Sequence, residues 1–336
     1  MLPRLVAGVR SAWDERRARS QAIAITPFEQ AQRSWARSIG SYADLPGEYA
    51  VHFEPLHAAG APFPLVVVAP SYEGFLHRET EKLVCATSDE ITILERRGHK
   101  LHVHRYPIRG IHRVEVSSVL LDARLKIVGP EADGLPPSST SVRFNAVTEF
   151  LFYPIVTTIR SGGRPSMPAP SGRSNVFDSW GRPSFKFMNY AKRSLLGGEE
   201  VQCAILQPEI RMTIVSAFGR TFRRTVSPTH ATILTDHELI GIQEVVTSGG
   251  RGSYGGIWDY VPLRSIDRLS IAAGDRGLVT LTVHLPGDDR FTLLYDASAG
   301  REVEALAGAF SKLRELGEAS GTLAGIPPAT TLDRIY

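Results

Sequence analysis

The sequence predicts a mainly β protein with some α-helix, built as two tandem modules that are each a bent sheet or small barrel closed by a C-terminal amphipathic helix. Three observations carry this reading: a length of 336 residues, a self-similarity that begins near residue 28, and an apolar helical stripe ending each copy. A chain this long exceeds what one hydrophobic core usually organises, so two domains are expected. Hydrophobic residues at 43% and charged residues at 22% are ordinary globular usage, which argues against disorder and fibrous repeats.

The repetition has four parts in a constant order. Trp35-Ala-Arg-Ser-Ile-Gly-Ser reads as a lead-in helix before Leu45-Pro-Gly47-Glu48, as Tyr190-Ala-Lys-Arg-Ser-Leu-Leu does before Gly197-Gly198-Glu199. Thr87-Ser-Asp-Glu-Ile-Thr-Ile-Leu answers Thr235-Asp-His-Glu-Leu-Ile-Gly-Ile at an offset of 148, each a polar turn running into an aliphatic strand. Pro107-Ile-Arg-Gly-Ile-His-Arg-Val answers Pro262-Leu-Arg-Ser-Ile-Asp-Arg-Leu at an offset of 155, with four identities in eight positions. The glycine-rich stretch 248–256 absorbs the drift as a hairpin insertion. Last come the closing helices. Val303, Leu306, Phe310, Leu313 and Leu316 step at three and four behind the caps Asp296 and Ser298. Val147, Leu151, Ile155 and Ile159 repeat the stripe in the first copy, with Pro154 marking a kink or the true first turn.

These pieces set the boundaries: an amphipathic arm over 1–26, a first module over 27–160, a Gly/Pro/Ser-rich basic linker over 161–183, a second module over 184–320 and a tail over 321–336. In the arm, Leu2, Leu5, Val6, Val9 and Trp13 alternate with arginines, which suits packing on the first module or lying on an anionic membrane surface.

The motifs Gly47-Glu48, Thr87-Ser-Asp89-Glu-Ile and Pro107-Ile-Arg-Gly-Ile resemble the bacterial pleckstrin-homology-like (PH-like) domains, as do Gly198-Glu199, Thr235-Asp236-His-Glu-Leu and Pro262-Leu-Arg-Ser-Ile. The resemblance spans roughly residues 45 to 160 and 196 to 316. It implies a seven-stranded bent sheet or barrel in each half, capped by the last helix, and says little about ligand.

The chemistry is sparse. His99, His102, His104 and His112 cluster without an interleaved Cys, Asp or Glu, so an exposed hairpin is expected and no metal site. The glycine loop 249–256 lacks the Gly-Lys-Ser/Thr ending of a phosphate-binding loop, and no nucleophile elbow or Ser-x-x-Lys arrangement appears. Cys85 and Cys203 form no disulfide framework, no apolar run reaches the roughly 20 residues of a membrane helix, and no secretory signal is visible. A bacterial cytoplasmic protein is expected, with the inner membrane surface as the alternative. The formal charge of +3 carries no strong nucleic-acid signal.

One local feature stands out. Between Ser161 and Leu195 six basic residues face Asp178 alone, interleaved with Phe177, Trp180, Phe185, Phe187 and Tyr190. With the cations of the second module, the candidate ligand-binding residues are Arg182, Lys186, Lys192, Arg193, Arg211, Arg220, Arg223 and Arg224. The expected function is non-enzymatic binding or scaffolding without a cofactor, with a protein segment or an anionic phosphate or lipid as ligand. Peripheral binding of anionic lipid is the alternative, and a small-ligand enzyme with its site between the halves is the less favoured third reading.

Overall fold

A computed structural model describes residues 32–73, 78–98, 100–132, 137–164, 174–217, 220–245, 255–274 and 277–319. The first half runs through β1 (Arg37–Ile39), α1 (Gly47–Ala58), β2 (Leu65–Ala69), the short hairpin β3 (Tyr72–Glu73) and β4 (Arg78–Glu79), β5 (Lys82–Ala86), β6 (Glu90–Arg97) and β7 (Lys100–Pro107). It continues with β8 (Arg113–Val119), β9 (Asp122–Gly129), β10 (Ser138–Asn145) and α2 (Tyr153–Arg160). The second half comprises α3 (Gly181–Ser194), β11 (Val201–Gln207), the hairpin β12 (Ile210–Ala217) and β13 (Arg220–Ser227), β14 (His230–Thr235), β15 (Glu238–Gln243) and β16 (Gly256–Pro262). It ends with β17 (Arg268–Gly274), β18 (Leu278–His284), β19 (Arg290–Asp296) and α4 (Gly300–Ala319).

The two halves therefore repeat one order of elements. A strand is followed by a hairpin, three antiparallel strands, a single 3-10 turn at Ile108–Gly110 or Leu263–Ser265, three more antiparallel strands and a helix. The four larger strands pair as β2-β5-β6-β7 in one half and β11-β14-β15-β16 in the other. The turn motifs are repeated down to their hydrogen bonds. Thr87 Oγ1 accepts from the amides of Asp89 and Glu90, and Thr235 Oγ1 from those of His237 and Glu238. The amide after each proline then docks on that turn: Ile108 N donates to Asp89 O (2.8 Å) and Leu263 N to His237 O (3.0 Å). The sequence similarity at these two places is thus one bonded corner.

Every sheet is open among the described residues, so of the expected bent sheet or barrel no closed barrel forms there, and the fold is mainly β, made of several antiparallel sheets with some helix. The joint between the halves is itself a sheet. β8 pairs with β16, giving a seven-stranded sheet of order β10-β9-β8-β16-β15-β14-β11. Accordingly one apolar core runs from Val84, Ile93, Leu125 and Ile155 of the first half to Phe187, Ile233 and Ile240 of the second. A second core under α4 gathers Leu281, Tyr295, Val303, Leu306 and Phe310. β5 and β14 are buried along their whole length, so both of their faces are covered.

Three expectations need correction. Trp35-Ala-Arg-Ser-Ile-Gly-Ser forms no lead-in helix; its centre is β1, paired with β2. The helix ahead of β2 is α1, which Gly47-Glu48 open rather than follow, and it buries Tyr49 and Phe53 on the outer face of the first sheet. Pro46 precedes it and Glu48 occupies its first turn, where an acid is favourable, and the side chains at i and i+4 share a face. Gly47-Glu48 and Gly198-Glu199 are therefore not equivalent. The stripe of Val147, Leu151, Ile155 and Ile159 is broken: residues 146–151 form a 3-10 segment with Val147 exposed, and α2 begins beside Pro154, as its fixed φ favours. Finally, the linker expected over 161–183 is folded at its end, since Phe177 and Trp180 are buried in the common core. The arm 1–26, the tail 321–336, residues 165–173 and the glycine loop up to 254 lie outside the described residues.

Candidate functional site

Two features of the second half are built by this architecture: a buried ionic cluster at the seam and an open strand edge next to it. Arg160, the last residue of α2, reaches into the second half. Its Nε donates to Glu238 Oε1 (2.9 Å), its Nη2 donates to the same oxygen and to Ser194 O (2.6 Å), and Glu199 lies 3.7 Å away. The guanidinium stacks 3.9 Å from the centre of the Tyr260 ring. Burial alone would lower the pKa of Arg160, but the Glu238 carboxylate outweighs it and raises it. Glu199 is pushed up to about 8, first by burial and then by the adjacent Glu238 charge, against the pull of Arg160. Two acids sharing one cation in a dry site favour a proton on one of them. The halves are further tied by Arg264, which donates to Arg109 O (3.2 Å) and Ile108 O (3.4 Å), so the two Pro-x-Arg corners touch.

The open edge follows from comparing β8 with β17. In the first half His112 N donates to Val128 O (2.8 Å) beside the pair Arg113↔Val128, and in the second Asp267 N donates to His284 O (2.9 Å) beside Arg268↔His284. The same small bulge therefore sets the phase of both strands. In β8 it turns the backbone of Val114, Val116 and Ser118 outward, where β16 pairs with them as Tyr260↔Val114, Trp258↔Val116 and Gly256↔Ser118. In β17 the same phase turns Leu269, Ile271 and Ala273 outward, but among the described residues β17 pairs with β18 alone. No hydrogen bond reaches those outward groups among the described residues. Arg314 of α4 donates to Ile266 O and Asp267 O, and so covers the approach to the strand but none of its three rungs.

Three of the eight residues singled out for anion binding are held in ion pairs. Lys186 pairs with Glu244 (2.7 Å), Lys192 with Asp178 (2.6 Å) and Arg211 with Glu209 (2.6 Å). Arg182 and Arg193 on α3 and Arg224 on β13 are exposed, and the side chains of Arg220 and Arg223 lie outside the described residues. α3 packs on β14 and β15, whereas β12 and β13 form a separate two-stranded sheet. Of the histidines, His104 faces Glu131 (3.2 Å) and Glu95 (3.9 Å), and His99 is outside the described residues. No group of three or more metal-ligating side chains occurs among the described residues. A cavity of about 460 Å³ lies at the start of β17, lined by Asp267, Arg268, His284, Asp288, Asp289 and Arg290.

Sequence reasoning missed the seam. Glu199 and Glu238 lie within the repeated motifs, and the available signal is a glutamate opening the otherwise uncharged strand Glu-Leu-Ile-Gly-Ile-Gln, which needs a buried partner. No helix among the described residues is long and apolar enough to cross a membrane. Comparison with protein-family models gives no match, and comparison with curated proteins gives none either.

Proposed function

We propose that this chain is a non-enzymatic protein-binding scaffold of two PH-like modules, which takes an extended protein segment onto the open edge of β17. One observation supports the reading. The equivalent edge of the first half, β8, already holds an added strand, β16, and the same backbone phase recurs in β17 with no strand paired to it among the described residues. Strand addition draws its affinity from main-chain hydrogen bonds, and an unpaired edge is its template. An anionic ligand is a weaker reading, because the carboxylates of Glu244, Asp178 and Glu209 already neutralise three of the candidate cations.

The probe is a peptide of residues 256–262, the strand that fills the equivalent edge. Fluorescence anisotropy should show saturable binding to the full chain at dilutions where it is monomeric, and hydrogen exchange should slow at the amides of Leu269, Ile271 and Ala273. Binding without that protection, or no binding, would sink the proposal. Binding to anionic vesicles that exceeds binding to the peptide would favour the lipid alternative.

A further inference from the structure

We infer that the segment seated on the β17 edge is β17 of a second copy, paired antiparallel about a two-fold axis at Ile271. This rests on the strand-addition reading and names its partner. The strand reads Arg-Leu-Ser-Ile-Ala-Ala-Gly, so beyond Arg268 it carries no charge and no proline. Edges that must stay unpaired usually carry lysine, proline or a covering loop; β17 holds no lysine or proline, and no loop among the described residues bonds to its three outward rungs.

The register is set by the outward groups. Pairing about Ile271 places Leu269 opposite Ala273 twice and Ile271 opposite its own copy, which offers about six new backbone hydrogen bonds, two per hydrogen-bonded pair. Arg268 then falls opposite Gly274, so like charges do not face each other. Ile271 is half-buried on the edge of the core beneath α4, and its symmetry mate covers the remainder. An isologous two-fold contact closes on itself, the commonest form of assembly.

The other copy-to-copy arrangement fits less well. Repeating the internal joint head to tail would lay β7 of one chain on β17 of the next. The β7 edge is guarded, because Ala132 N donates to Arg105 O (2.8 Å) in the middle of it. That strand also carries Lys100, His102, His104 and Arg105, which would approach Arg268. Two-fold pairing of β17 displaces nothing among the described residues and extends the β17-β18-β19 sheet to twice its width.

Light scattering on the eluting full chain and sedimentation equilibrium test this directly. The wild-type chain should be dimeric in a concentration-dependent way. Gly274→Glu sets a carboxylate opposite Arg268 at two symmetric places and should tighten the dimer about 2- to 30-fold, from about 0.2–1 kcal/mol per opposite-charge pair. The added Cβ meets only ordinary contacts, Leu278 O at 3.4 Å and Leu278 Cβ at 3.5 Å. Gly274→Lys sets a cation opposite the partner copy's Arg268 at the same two places and should weaken the dimer by a similar factor, with an unchanged melting temperature for both variants at dilutions where each is monomeric. A gain of affinity cannot arise from misfolding, so Gly274→Glu keeps the test decisive.

A wild-type chain that stays monomeric at every attainable concentration, or a dimer indifferent to both substitutions, overturns the inference. If such a chain still binds the 256–262 peptide with protection of β17, strand addition stands and only the second copy falls. If it binds no peptide, both fall. A monomer that becomes dimeric when residues 320–336 are deleted identifies the tail as the occupant and also overturns the second copy.

Discussion

Replacing Arg160 by methionine is the sharpest test of how the halves are held together. The side chains of Arg160, Glu199 and Glu238 retain only 6%, 3% and 3% of their exposure, so solvent cannot take over the role of the lost cation. Removing one member of a buried ionic group leaves the other charged and unpaired, which costs about 3–5 kcal/mol. The carbonyl of Ser194 loses its donor and the Tyr260 ring its stacked cation, while methionine preserves part of the packing volume. We therefore expect a loss of about 3–5 kcal/mol at neutral pH, measured by denaturant unfolding. The loss should shrink in acid, where protonated carboxyls no longer need a counter-ion. Arg160→Met combined with Glu238→Gln should recover part of it, and a double-mutant cycle gives the coupling. A single-mutant loss under about 1 kcal/mol would refute the reasoning and make the cluster incidental.

Further outcomes follow from the same geometry. Because the pKa of Glu199 is raised from 4.5 to about 8 in the fold, its protonated form is the favoured one. Its contribution is fully present below about pH 4.5 and is lost as the pH rises towards 8, by at most about 1.4 kcal/mol per unit. Glu199→Gln stays neutral throughout, so its stability relative to wild type should climb across that window; parallel pH profiles would show that Glu199 does not titrate there. Phe310 is 4% exposed in the core beneath α4, and Phe310→Ala should cost about 3–5 kcal/mol in a denaturant titration; a loss below about 1 kcal/mol would make the helix peripheral. Gly255 has φ +111°, and a Cβ there would lie 1.9 Å from Ser118 O on the partner strand. Gly255→Ala should cost at least about 1–3 kcal/mol and speed exchange of the β8 and β16 amides; unchanged exchange would show that the joint does not depend on this approach.

What could be read in advance was whatever has a short-range cause. The corners at Thr87 and Thr235, and at Pro107 and Pro262, are visible because a hydroxyl cap and a fixed φ act within a few residues. The α4 stripe was visible because Val303, Leu306 and Phe310 share one face, although Leu316 proves exposed. α1 was missed because Pro55 interrupts a stretch in which Tyr49 and Phe53 alone are buried. The pairing of β8 with β16 leaves no periodic trace, since either register of a neighbouring strand satisfies the same alternation. Basic composition around α3 was legible, but its neutralisation by Glu244 and Asp178 depends on contacts 58 and 14 residues apart.

The β8–β16 ladder also carries a cost in time. A ribosome delivers the chain at about 5–20 residues per second, and Tyr260 emerges 146 residues after its partner Val114. For about 7–30 s the nascent first half has β8 without the strand that completes it. A fragment ending within the linker keeps that bare edge permanently, together with the apolar surface that Ile233, Ile240 and Phe187 would have covered. Such a fragment is expected to need a chaperone or to aggregate, and separately expressed halves would recover solubility only when produced together.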